Sequence, residues 1–187
     1  QALGSSRKAE EASARYILGT LFARPESLDV SRAVTHLTRA IRLGLPEART
    51  ARALMTLGGL HRARERTYPD AGSLGESRTA FEQAAEILRG LVVRHPDDPG
   101  YRRQLAGAEF ELGEYGSALG VLEEIEAPGD PERLLRWKCL WKLGRSGEAD
   151  AAIAEVLASD PAPGVLARAA SFYRGVGRSD LASDLVK

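Results

Sequence analysis

The 187-residue chain is 43% hydrophobic, enough to bury a core and too much for a disordered segment. Its 26 basic residues equal its 26 acidic ones, so the basic excess of a nucleic-acid binder is missing and nucleic acid is not an expected partner. The single cysteine, Cys139, excludes an internal disulfide and a thiolate-rich zinc site. No apolar run reaches the ~20 residues that cross a bilayer, so no membrane insertion is expected in this segment.

Only 6% of the chain is aromatic, and Ala, Leu and Arg dominate, which favours helices over strands. Gln1 to Glu11 is polar and has no signal-peptide pattern. Without an initial Met, the chain is expected to be an excised segment or a processed product, and its compartment stays open. The first predicted helix, 6–23, carries Leu18-Gly19. After a break at Arg24-Pro25-Glu26-Ser27, a second helix, 29–43, carries the ladder Ala33, Leu37, Ala40. A third, 46–66, opens at Pro46 and contains Leu57-Gly58. Thr67 to Glu76 is an insertion, expected to be a loop. The fourth helix, 76–94, carries Ala84, Leu88, Leu91 and is stopped by His95-Pro96.

Asp98-Pro99 then places an N-cap before a proline suited to a first turn, opening a fifth helix, 99–112. Past Gly113, a sixth, 115–126, carries Ala118, Leu122, Ile125. Asp130-Pro131 repeats the start signal for a seventh, 131–143. Gly144 leads into an eighth, 146–159, with Ala149, Ile153, Val156, closed by Asp160-Pro161. A ninth, 163–175, ends before Gly177, and the tenth, 179–186, carries Ala182 and Val186.

The ladders step by four and then three, which keeps their side chains on one helix face, and the alanine at the first rung admits a close neighbour. Leu112-Gly113-Glu114, Leu143-Gly144-Arg145 and Val176-Gly177-Arg178 share the form apolar-Gly-charged, with glycines 31 and 33 residues apart. Each falls where a left-handed residue must end one helix and start the next. Gly19 and Gly58 lie inside helices at a cost of about 1 kcal/mol each against Ala, for which tight helix-helix contact is the best reason. The helices pair into five units, about 6–43, 46–94, 99–126, 131–159 and 163–186, forming a single repeat domain.

This pattern resembles the tetratricopeptide-repeat family. The resemblance is best over Tyr101-Arg102-Arg103-Gln104-Leu105-Ala106 through Leu112-Gly113-Glu114-Tyr115 to Ala118, and extends from about Glu11 to the end. It implies an all-α fold, a right-handed α-solenoid of about five helical hairpins, and a scaffold that binds a protein or peptide rather than an enzyme. The chain departs from the pattern at the Thr67 to Glu76 insertion. It departs again at Glu109, where the family has an aromatic or large apolar residue that Phe110 replaces. A third departure is the absence of a polar capping helix after the fifth unit.

No catalytic constellation is found. His36, His61 and His95 match no metal motif and read as surface or partly packed residues. Cys139, among Leu134, Leu135, Trp137, Leu140 and Trp141, reads as a buried structural thiol. Asp70 to Gly75 lacks the Gly-Lys-Ser of a phosphate loop, and Glu123, Glu124 and Glu126 read as a solvated face. No metal or cofactor is expected.

In this family the first helix of each hairpin lines a concave groove. Threading those helices places Tyr16, Thr20 and Arg24 there from the first unit, and Arg52, Met55 and Arg62 from the second. The third supplies Arg103, Phe110 and Glu111, the fourth Leu134, Lys138, Trp141 and Lys142, and the fifth Ser171 and Arg174. Seven of these are basic and one is acidic, interleaved with aromatic and apolar side chains typical of binding hot spots. The expected ligand is an extended peptide with acidic residues beside apolar anchors. Arg is abundant throughout, so any exposed face would look basic, which is the plainer reading. At the places of the family's Lys/Asn carboxylate clamp stand Tyr16, Thr20, Met55, Thr56 and Gly59, so chaperone tails are not expected ligands. The alternative function is a self-associating structural module, a homo-oligomer or the assembly domain of a larger protein. The preference for Arg over Lys points to a GC-rich bacterial genome.

Overall fold

The computed structural model describes residues 2–67, 75–159 and 161–184. Among these the chain forms ten α-helices: α1 (Ala2–Phe22), α2 (Val30–Leu43), α3 (Glu47–Thr67), α4 (Glu76–Arg94), α5 (Pro99–Leu112), α6 (Tyr115–Glu123), α7 (Asp130–Lys142), α8 (Ser146–Ala158), α9 (Pro163–Gly175) and α10 (Ser179–Asp184). Most of the expected Thr67 to Glu76 loop, and Val186 of the last ladder, lie outside the described residues. The chain divides into two compact units, Gln1–Tyr101 and Arg102–Lys187.

In unit 1, α1 packs on α2 and α3 on α4. The ladder residues Ala33, Leu37 and Ala40 are fully buried, as are Ala84 and Leu88. Two of the glycines inside these helices, Gly19 and Gly58, show how closely the helices meet. A Cβ on Gly19 would lie 2.6 Å from Leu37 Cγ, and one on Gly58 would lie 2.7 Å from Phe81 Cζ. Carbon pairs are comfortable at ~3.5–4.0 Å, so both positions exclude a methyl group. Beside the second contact, Ser77 Oγ donates a buried hydrogen bond of 3.1 Å to the Gly58 carbonyl. The break at residues 24–27 folds as a short 3₁₀ turn, Pro25–Ser27, with Ser27 Oγ donating to the Leu21 carbonyl at 2.6 Å.

In unit 2, α7 packs on α8, α9 on α10, and α7 also touches α6 and α9. The ladders Ala118-Leu122-Ile125 and Ala149-Ile153-Val156 are buried, with Ala182 continuing the series. Three interhelical turns share one closure. Gly113, Gly144 and Gly177 have φ of 85°, 73° and 80°. Each donates its N–H to the carbonyl three residues back, Phe110, Trp141 and Arg174. The following residues, Glu114, Arg145 and Arg178, donate to Glu109, Leu140 and Tyr173. This pair of bonds satisfies carbonyls that the helix end leaves open.

Most boundaries fall within a residue of the sequence reading, but α1 starts at Ala2 rather than residue 6, and two further ends differ in a telling way. α6 ends at Glu123 rather than 126, because the apolar ladder outlasts the helix: Ile125 is buried from beyond its end. Asp98 caps α5 as expected, its Oδ1 accepting from the Gly100 N–H at 2.8 Å. Asp130 does not cap α7, where Gly129 is the N-cap and Asp130 already lies in the helix.

Candidate functional site

In unit 1, α1 presents Tyr16, half-buried against the unit's apolar core, and Thr20, whose hydroxyl donates to the Ile17 carbonyl at 2.8 Å. Arg24 and Arg52 are exposed and Met55 is half-buried. The Arg62 guanidinium lies over the Phe81 ring, 5.1 Å from its centroid, which ties it to α4.

In unit 2, Arg103 of α5 forms an ion pair with the buried Glu132 of α7. Phe110 packs against Tyr115 with ring centroids 5.2 Å apart, so it fills space between α5 and α6. Leu134 is 3% exposed and belongs to the core of this unit, so it is not a groove residue. The correction has a simple cause: the apolar stripe of α7 is wider than the threading allowed. Trp141 stacks edge-on against Tyr173 at 5.6 Å, with Arg178 6.0 Å above its ring. Ser171 and Arg174 are exposed on α9.

The residues that do converge are Lys138 and Lys142, one turn apart on α7. Their ammonium groups lie 5.6 and 5.9 Å from the centroid of the Phe172 ring of α9. Burial holds the Lys138 pKa below the ordinary lysine range, and the positive charge of Arg168 lowers it further. Glu111 partly offsets both. Arg168 stands one turn before Phe172 on α9, so the two share a helix face. This face therefore holds two lysines over one half-buried ring, with Arg168, whose Nε donates to the Gly164 carbonyl at 3.3 Å, and Glu111 near enough to act on Lys138. Arg174, two residues past Phe172, falls on the other side of α9.

Phe172 and Arg168 were not singled out from the sequence, although their four-residue spacing, one turn from Lys138 and Lys142 across a helix seam, was there to find. The other chemical groups remain structural. Burial pushes the Cys139 thiol up to about 12, which keeps it protonated and unreactive. His36 stacks on Phe22 at 5.7 Å, and His61 Nδ1 lies 2.9 Å from Glu76 Oε2. Among the described residues no three metal-ligating side chains cluster, and no helix is long and apolar enough to cross a membrane.

Residues 77–131, covering α4 to α6 and the start of α7, match the tetratricopeptide-repeat family model. The whole chain resembles a solved structure of a thermophilic tetratricopeptide-repeat protein from Thermus thermophilus. The TM-score is 0.61 at 22% identity, with 93% of this chain and 87% of that chain covered. The fold is that of a tetratricopeptide-repeat protein. A comparison with curated protein sequences finds no match. Tetratricopeptide repeats generally mediate protein–protein interactions and are typically non-catalytic. The α7–α9 face lies on the first helices of two successive hairpins.

Proposed function

We propose that this tetratricopeptide-repeat chain is a protein-binding scaffold whose α7–α9 face receives an acidic, apolar-anchored segment of a partner. The observation that carries the reading is the Lys138–Phe172–Lys142 arrangement with Arg168 beside it. A cation held half-buried near another cation is disfavoured until an anion arrives, so a partner carboxylate relieves a cost already present in the free protein. Charge steers and orients the encounter, while the Phe172 ring and the lysine stems supply apolar contact. Tyr16, Thr20, Arg52, Met55 and Arg62 are proposed as a second contact set, on unit 1.

A panel of short peptides alternating Glu with Leu or Phe, titrated by calorimetry, tests this directly. Affinity should fall as salt is raised and fall further in the Lys138→Glu/Lys142→Glu variant, while Lys-rich control peptides should not bind the face. Equal binding of the acidic panel by wild type and variant would remove α7–α9 as the docking face.

A second reading, self-association, is favoured by the charge division of the chain. Unit 1 carries three more basic than acidic residues and unit 2 three more acidic than basic. Complementary charge of this kind supports head-to-tail pairing of copies. Sedimentation velocity across concentration and salt separates the readings, since a strict monomer at low salt leaves only the first.

A further inference from the structure

In unit 1, Arg32, Arg78 and Arg94 each meet a carboxylate, that of Asp29, Glu82 and Glu47 respectively. Two arginines of α2 do not. Arg39 and Arg42 are exposed, and neither makes a hydrogen bond or ion pair with the described residues. Three positions apart, they stand side by side on the helix surface, where like charges repel.

Both line an open cavity of about 540 Å³ against α1, together with Arg15, Val34, Thr35 and Thr38. Among the described residues no carboxylate lines it. Arg15 is already matched by Glu11 at 2.8 Å, so the uncompensated charge is that of Arg39 and Arg42 alone. Arg42 and Thr38 also border a neighbouring cavity. Its one acid among the described residues, Glu76, lies 2.9 Å from His61 Nδ1 and forms no ion pair with Arg42. The two threonines differ. Thr35 Oγ1 donates to the Ser31 carbonyl at 2.8 Å, whereas the Thr38 hydroxyl has no partner among the described residues. Thr38 is half-buried and stands one turn before Arg42.

We propose that this cavity binds a phosphomonoester, its oxygens taken by the Arg39 and Arg42 guanidiniums and the Thr38 hydroxyl. At neutral pH such a group carries about 1.5–2 negative charges, which matches the two uncompensated cations, whereas a carboxylate leaves one of them unmatched. Its three terminal oxygens can meet two planar forks and a hydroxyl together, and a carboxylate has only two. The bound dianion also relieves the repulsion between the two guanidiniums. Val34 and the arginine stems give the site an apolar floor. None of these residues belongs to the α7–α9 face or to the contact set proposed on unit 1, so the site goes beyond both. The phosphate can come from a phosphorylated serine or threonine of a partner protein or from a free small phosphate.

Nα-acetyl-phosphoserine amide and inorganic phosphate represent the two sources, with Nα-acetyl-glutamate amide as the carboxylate control. Each is titrated into the full chain at pH 7.5 while backbone amide resonances are followed by NMR. Because the shifts are read on α2, an anion held at α7–α9 is not mistaken for one held here. Saturable shifts at Thr38, Arg39 and Arg42 with either phosphate, and weaker binding of the control, support the site; the tighter phosphate identifies the source. Arg39→Gln/Arg42→Gln, two exposed changes that leave the core untouched, should weaken binding at least roughly tenfold, the loss of charge-assisted hydrogen bonds. Arg64→Gln/Arg66→Gln removes the same charge from exposed positions of α3 outside the cavity and should leave the affinity unchanged. Failure of both phosphates to saturate, binding of the control as tight as theirs, unchanged affinity in the α2 variant, or an equal loss in the α3 variant overturns the proposal.

Discussion

Gly58→Ala adds one methyl group to the middle of α3, where an exposed glycine would welcome it. A helix interior prefers Ala by about 1 kcal/mol. Here the new Cβ would stand 2.7–2.8 Å from three carbons of the Phe81 ring, so the ring or the helices must separate by about 0.7 Å or more to restore a normal contact. The ring has little freedom to do so. Phe81 is 2% exposed, and one turn earlier the Ser77 hydroxyl ties α4 to the Gly58 carbonyl itself. Overpacking of this kind costs about 1–3 kcal/mol, and loss of the Ser77 bond adds about 1 kcal/mol. The variant should therefore be net destabilised by about 1–2 kcal/mol. Amide hydrogen exchange in α3 and α4 reads this unit directly, which tryptophan fluorescence cannot, because Trp137 and Trp141 both belong to unit 2. In a Phe81→Leu background the same substitution should become neutral or stabilising, a coupling of about 1 kcal/mol or more. If Gly58→Ala instead protects α3 by the full propensity gain in the wild-type background, the close-contact reasoning is wrong.

The turn glycines give a contrasting test. Gly144→Ala should cost about 1–2 kcal/mol because its φ of 73° strains any Cβ, whereas Gly120→Ala, in open space on α6, should stabilise by up to about 1 kcal/mol; urea melts followed by tryptophan fluorescence read both. The buried Cys139 thiol holds its proton to about 12 while the unfolded chain releases it near the ordinary 9.0. From pH 9 to 12 the native state thus binds the extra proton, and stability should fall by up to about 1.4 kcal/mol per pH unit from this group. Urea midpoints of Cys139→Ala at pH 9 and 10 should differ less than those of wild type. Burial also raises the Tyr173 pKa, which adds a loss of the same sign at higher pH. Finally, Lys138→Met should stabilise the chain by about 0.5–1 kcal/mol, read as a higher melting temperature, by relieving a desolvated cation beside Arg168, while weakening the binding of acidic peptides; a variant less stable than wild type would show that the cation was not a burden.

The helices were legible in the sequence because their signals are local. Ala33-Leu37-Ala40 and Ala149-Ile153-Val156 need only helical spacing to be recognised, and Gly113, Gly144 and Gly177 mark turns within a few residues. Gly19 and Gly58 were readable as contact points from their cost alone, although Leu37 and Phe81 could not be named as the groups they meet. What the sequence hid depends on partners far along the chain. Glu109 stood out only as a polar residue at an apolar place and Glu132 not at all, yet both are buried. Their partners, Ser117 and Arg103, sit on neighbouring helices. Leu134 was placed in the groove because threading a helix assigns a face without its width. Phe172 was passed over because its lysine neighbours are thirty or more positions upstream and meet it only once α7 packs against α9.

The matching closures at Gly113, Gly144 and Gly177 also dictate where this chain can change length. The first interval is two residues shorter than the second, and the turns absorb none of the difference: α6 has nine residues and α8 thirteen. A residue inserted between Gly144 and Ala149 would rotate α8 by about 100° and present Glu148 to the core where Ala149 now sits. The same insertion after the second helix of a hairpin would pass into the connector and leave the packed face in register. Duplication, loss and drift in length therefore have a permitted place in this architecture, after each hairpin, and a forbidden one, at its glycine.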